Sequence, residues 1–173
     1  MEFGIELRQP AWKVLATIPK ETVLIKGRRS LTAQELAGAA SREASRFGCY
    51  SWAAHGLVLY CGSFSRDYMG PNYRTNFEGR LWQYFCNHGR DADGNPKNTN
   101  AKIFDLLNKT LTLSDVSLQL FSFESLDGAQ QTVQFSTYAS QPVLVKAVER
   151  LVIWVYKSLR QCPWNDNFPD DTA

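Results

Sequence analysis

Phe47-Gly48-Cys49-Tyr50-Ser51-Trp52-Ala53-Ala54-His55-Gly56-Leu57-Val58-Leu59-Tyr60-Cys61-Gly62 is the stretch on which the reading of this chain turns. Phe47 to Ala54 and Leu57 to Cys61 are rich in aromatic and apolar residues, as strands are. His55-Gly56 between them is a two-residue hairpin turn. The stretch therefore predicts two adjacent antiparallel strands. Each carries a triplet, Gly48-Cys49-Tyr50 and Tyr60-Cys61-Gly62, with nine residues between the two. Two readings of the tyrosines stand side by side. They are cross-strand aromatics filling a core, or they are reactive phenols, which requires nearby positive charge to lower a pKa of about 10.

On the N-terminal side, Trp12 to Lys26 reads as short extended segments broken near Pro19. Thr32-Ala33-Gln34-Glu35 has the form of a capping box, which predicts a helix from Ala33 to Phe47. On the C-terminal side, Ser63 to Thr75 reads as a polar, aromatic-rich loop. A helix capped by Asn76 follows and runs to His88. Gly89 to Asn98 reads as a loop, and Asp91-Ala92-Asp93-Gly94-Asn95 within it as an exposed turn rather than a calcium loop. Ala101 to Lys109 has helical spacing. Val116, Leu118 and Leu120 alternate as in a strand, and Gln131 to Tyr138 suggests another. Pro142 stands at the start of an apolar helix from Val143 to Leu159, which Pro163 ends. The order predicts an α/β fold with a small central antiparallel sheet flanked by helices. Residues 1–46 read as an extension with a helix, and 47–173 as one globular unit.

The chain has 173 residues and a net charge of +2. That length suits one core, and the charge alone points to no partner. Lys26, Arg28 and Arg29 cluster, and Arg66, Arg74, Arg80 and Arg90 punctuate the region after the hairpin. These charges suit a phosphate-binding face as well as ordinary solvated surface. Cys49, Cys61, Cys86 and Cys162 are widely spaced. They read as free thiols of a cytoplasmic protein rather than zinc ligands. No apolar run is long enough for a membrane span.

Phosphodiester hydrolysis needs a base, a cation to hold the phosphate, and a carboxylate if a metal takes part. Arg80 and Tyr84 are four residues apart and share a helix face. Glu149 lies in an apolar helix, where a carboxylate is costly unless paired or metal-bound. It also has Lys146 and Arg150 beside it, which suits a solvated face.

Taken in order, Tyr50, Tyr60, Gly62, Arg80, Tyr84, Glu149 and Asn165 resemble the motif series of the GIY-YIG nuclease family, with cysteine in place of isoleucine in both triplets. The resemblance spans Phe47 to Asn167. It implies a metal-dependent endonuclease acting on DNA, restriction-type or a stand-alone repair or mobile-element enzyme, with Mg²⁺ or Mn²⁺ held by Glu149. By the same resemblance Tyr50 is the general base assisted by Tyr60, and Arg80 grips the phosphate with Tyr84 beside it. Asn165 braces the site, while Gly48 and Gly62 are structural. The spacing from Gly62 to Arg80 is longer than in compact members, so Arg66 and Arg74 stand as alternative phosphate arginines or DNA contacts. A homodimer would place two sites on opposite strands. The alternative reading is a DNA-binding or assembly module with this fold and little or no cleavage.

Overall fold

A computed structural model of the chain describes residues 12–27, 30–42, 47–64, 77–86, 89–123 and 141–165. The elements are β1 (Lys13–Ile18), α1 (Leu31–Ser41), β2 (Phe47–Ala54), β3 (Leu57–Phe64), α2 (Phe77–Phe85), α3 (Thr99–Leu111), β4 (Val116–Phe123) and α4 (Gln141–Ser158), followed by a 3₁₀ turn at Pro163–Asn165. The four strands form one antiparallel sheet in the order β1-β4-β2-β3. The architecture is α/β, with helices on both faces of the sheet.

The turn of the β2–β3 hairpin sits where the sequence places it, but β3 runs on to Phe64 rather than ending at Cys61. Ser63 and Phe64 thus belong to the strand and not to the expected loop, because they pair with Cys49 and Gly48. His55 and Gly56 both have positive φ, 52° and 74°, the backbone that a two-residue turn between right-twisted strands demands. Tyr50 pairs with Gly62 and Trp52 with Tyr60, but Ala53 pairs with Val58. Leu59 is thus an extra residue on β3, a bulge. The bulge shifts the alternation, so Val58 joins Cys49 and Cys61 on one face, with Val148, Val152 and Tyr156 of α4. The spacing of 148, 152 and 156 is that of one helical stripe.

Tyr50, Trp52 and Phe64 face the other way, with Leu118 and Leu120 of β4, against α1, α2 and α3. Trp52, Tyr84, Phe64 and Phe77 are among the largest fully buried side chains there. Residues from the first 46 belong to the same structure. β1 pairs along β4 from Lys13↔Leu120 to Ile18↔Val116, and Ala33, Leu36 and Ala40 of α1 enter the main core.

Helix boundaries differ from the sequence expectation in every helix: α2 ends at Phe85 rather than His88, α4 begins at Gln141 rather than Val143, and α1 and α3 shift as well. Helix α1 starts at Leu31, because the Ser30 side chain accepts from the Ala33 amide and caps it; Thr32 falls inside the first turn. It ends at Ser41 rather than Phe47, which opens β2 instead. Helix α3 is a turn longer than expected, because Asn98 caps it at 2.9 Å from the Ala101 amide. Asp91 to Asn95 is a tight turn, closed by bonds between Asp91 and Asn95 and between Gly94 and Asp91. Asn76, His88 and the strand expected at Gln131 to Tyr138 lie outside the described residues. Among the described residues, no helix is long and apolar enough to cross a membrane.

Strand β3 is an edge of the sheet, and edges expose unpaired backbone groups. Here the chain after α4 covers it. Arg160 and Cys162 adopt left-handed backbone, φ 58° and 57°, which turns the chain back along the hairpin. The Cys162 amide donates to the Val58 carbonyl (2.7 Å), and the Val58 amide donates to Gln161 Oε1 (2.9 Å). Asn165 then mimics a strand neighbour: its Oδ1 accepts from the Cys61 amide and its Nδ2 donates to the Cys61 carbonyl, both at 3.0 Å.

Candidate active site

The site is built around the end of β3. Because Tyr50 pairs with Gly62, the Tyr50 ring lies over the glycine. A Cβ at residue 62 would stand 2.6 Å from Tyr50 Cζ and 2.7 Å from its oxygen. Gly62 is therefore required by contact with Tyr50. Gly48 pairs with Phe64 of β3 and Ser122 of β4, at the same end of the hairpin.

Three phenols meet on this face. The Tyr50 and Tyr84 hydroxyls share a short hydrogen bond, and the Tyr50 and Tyr60 rings lie 6.1 Å apart at 54°. Phe77, one of the first residues of α2, packs on Tyr50 at 5.5 Å and stacks on Phe64 at 4.6 Å. Helix α2 thus brings Tyr84 to the hairpin, and Arg80 comes with it one turn earlier. Tyr50 and Tyr84 are only 3 % and 1 % exposed, whereas Tyr60 and Arg80 are half-buried. The Arg80 Nε is buried and has no hydrogen-bond partner among the described residues.

Burial dominates the electrostatics of the three phenols. It pushes Tyr50 up to about 12, against the lowering pull of Arg80 and the hydrogen bond from Tyr84. Tyr60 and Tyr84 are raised well above their ordinary value, again chiefly by burial and then by Tyr50. Arg80 and hydrogen bonds from both neighbours favour the Tyr50 phenolate. The Tyr50 bond works against ionisation of Tyr60 and Tyr84. Tyr50 is thus the member of the trio best placed to lose its proton. At neutral pH it is still almost wholly neutral, with about one phenolate in 10⁵ molecules.

Glu149 approaches from the α4 side. It is 8 % exposed, and Ser63 Oγ of β3 donates to its Oε2 at 2.9 Å. Glu149 thus faces the hairpin rather than bulk solvent, while Arg150 beside it is exposed. Its negative charge reaches Tyr50 and Tyr60 and raises both. Asn165 holds the backbone of Cys61, the residue between Tyr60 and Gly62.

Tyr50, Tyr60 and Tyr84 thus meet on the face of the hairpin that α2 covers, with Arg80 acting on all three and Gly62 beneath Tyr50. Glu149 is seated on Ser63 on the opposite, α4-facing side of β3; its charge reaches Tyr50 and Tyr60, and Asn165 lies at the strand edge. Arg66 and Arg74 lie outside the described residues, as do Arg28 and Arg29 of the N-terminal basic cluster. Ser63 was not singled out by the sequence. Its signal was its place one residue past Gly62, where alternation turns it toward α4. Phe77 and Gln161 were also missed, because their roles depend on contacts distant in sequence.

Glu149 is a single carboxylate with the Ser63 hydroxyl beside it. Mg²⁺ takes one or two protein carboxylates and fills its shell with water and phosphate oxygen. Among the described residues no three His, Cys, Asp or Glu side chains gather as metal ligands, so a cation here would have Glu149 as its protein carboxylate and take the rest of its shell from water and phosphate. Cys61 does not suit a ligand role: its bond with Cys162 and its burial hold the thiol well above its ordinary pKa. Comparison of the chain with protein-family models, curated proteins and solved structures finds no match.

Proposed function

We propose that the protein is a metal-dependent endonuclease of the GIY-YIG type that hydrolyses DNA phosphodiester bonds. The observation that carries the reading is that Tyr50, Tyr60 and Tyr84 meet on one face of the hairpin with Arg80 acting on them, while Glu149, far away in sequence, is seated on Ser63 of the same strand from the other face.

Each residue has a role its chemistry permits. Glu149 would hold Mg²⁺ or Mn²⁺, which when bound supplies Lewis-acid stabilisation of phosphate charge and a more acidic water. Arg80, half-buried and with a fixed positive charge, would grip a non-bridging phosphate oxygen through its guanidinium. Tyr50 would take a proton from the attacking water only as its phenolate, after losing its own proton to solvent, an ionisation that Arg80 and the bonds from Tyr60 and Tyr84 favour and burial opposes. The water oxygen bonds to phosphorus, the bond to the leaving sugar oxygen breaks, and that oxygen takes a proton from solvent water to leave as the alcohol. Tyr60 and Tyr84 donate to the Tyr50 oxygen and stabilise that phenolate. Tyr60 and Arg80 are the more exposed pair, so the phosphate meets the site from their side. Asn165 keeps β3 in register. DNA is the partner, and a homodimer would allow both strands to be cut.

The burial of Tyr50 and Tyr84 favours a second reading. Packed phenols with raised pKa values also suit a structural core, so the domain would bind DNA or a partner protein without turnover. Incubation of the purified chain with plasmid and Mg²⁺ separates the two. The nuclease reading expects nicked or linear DNA, with the product lost in Glu149→Gln. DNA binding without conversion under any divalent cation supports the binding module.

A further inference from the structure

Ser63 is a buried polar residue, 6 % exposed, with its hydroxyl committed to Glu149 Oε2 at 2.9 Å. A buried hydroxyl needs a partner, but Ser63 gains more than satisfaction from this one. Its own position is rigid. It pairs with Cys49 across the hairpin, and its neighbour Phe64 is stacked on Phe77. The carboxylate on α4 is thereby tied to β3, the strand that carries Tyr60 and Gly62.

From this we infer that Ser63 is a positioning residue for the metal-holding carboxylate, an inference that rests on the nuclease reading. A carboxylate offers about four acceptor sites on two oxygens. The Ser63 bond takes one of them and restricts rotation of the carboxyl group, so the orientation in which the carboxylate meets a hard cation is set by β3. Bonds of this kind to a ligating carboxylate orient it, and their loss weakens metal binding. Ser63 also sets the carboxylate relative to the tyrosines, since one strand carries both constraints.

The test is Mn²⁺ titration of the full chain by electron paramagnetic resonance, which reports free metal without any turnover. Ser63→Ala is expected to raise the Mn²⁺ dissociation constant by about tenfold or more. The Mg²⁺ concentration for half-maximal cleavage should rise in parallel, with the rate at saturating Mg²⁺ little changed. Ser63→Thr keeps the hydroxyl and should bind as wild type does. Ser63→Cys, nearly isosteric with a weaker donor, should fall between the two, and it carries the test if the alanine variant fails to fold. Glu149→Gln is the reference. If it weakens Mn²⁺ binding while Ser63→Ala and Ser63→Cys do not, the Ser63 inference is overturned and the metal assignment stands. If Glu149→Gln binds Mn²⁺ as wild type does, both are overturned.

Discussion

Gly62→Ala is the sharpest probe of how the hairpin and the phenols fit together. In most strands this change is mildly favourable, because glycine loses more backbone freedom on folding, a gain of about 0.5–1 kcal/mol. Here the new methyl would lie 2.6 to 2.8 Å from the outer half of the Tyr50 ring. That ring cannot swing aside cheaply. Its hydroxyl is bonded to Tyr84, and its faces pack on Phe77 and Tyr60. Overpacking of this kind costs about 1–3 kcal/mol. The net effect is therefore a loss of about 1–2 kcal/mol, which for a chain of this size lowers the melting temperature by about 2–8 °C. Chemical denaturation followed by near-ultraviolet circular dichroism reads both stability and the aromatic packing. The contact is tested more stringently in a Tyr50→Leu background, where the ring is gone. There the same Gly62→Ala change should be neutral or slightly stabilising. An equal penalty in both backgrounds would refute the idea that Gly62 exists to accommodate Tyr50.

Other consequences follow from the same geometry. Tyr50 sits at about 12 in the folded protein against about 10 unfolded, so the unfolded chain gives up its proton first. The stability this provides is fully present below about pH 10 and is lost as pH rises toward 12, by up to about 1.4 kcal/mol per pH unit. Denaturation midpoints should fall over that range, and less steeply in Tyr50→Phe. A midpoint insensitive to pH there would contradict the burial of the phenol. Arg80→Ala should lower cleavage by about 10²–10³-fold, and Arg80→Lys should restore only part of it, since lysine lacks the fork of donors. Cleavage by Arg80→Ala at the wild-type rate would remove Arg80 from phosphate binding. Asn165→Ala should destabilise by about 1–2 kcal/mol, because the Cys61 amide and carbonyl lose their partners. Hydrogen exchange at the Cys61 amide checks this directly, and slow exchange in the variant would contradict the strand-edge role.

The parts of this molecule that were legible in the sequence are those set by neighbouring residues. His55-Gly56 announces its turn because few other pairs accept two positive φ angles. The i, i+4 placement of Arg80 and Tyr84 is a property of any helix. The Leu59 bulge was not legible: it depends on which residues of β3 find partners across the hairpin. Nor was the pairing of β1 with β4, which joins segments about a hundred residues apart, where local pattern carries no register. The start of α1 was misplaced because Ser30 and Thr32 are both good caps, and the capping-box pattern at Thr32 and Glu35 favoured the wrong one. For the site, residue types and order pointed to the five side chains. The seating of Glu149 on Ser63 and the deep burial of Tyr50 and Tyr84 needed the packed structure, because burial is a property of the whole fold.

The central claim is that Glu149 and the hairpin phenols form one hydrolytic site, and it is tested most directly by plasmid cleavage. Wild-type protein and Glu149→Gln, matched for folding by circular dichroism, are incubated with supercoiled DNA and Mg²⁺ or Mn²⁺. The account predicts nicked or linear product from the wild type, abolished by chelation and reduced at least about 10²-fold in the variant. DNA left intact by the wild type with either cation, or cut equally well by Glu149→Gln, would contradict it.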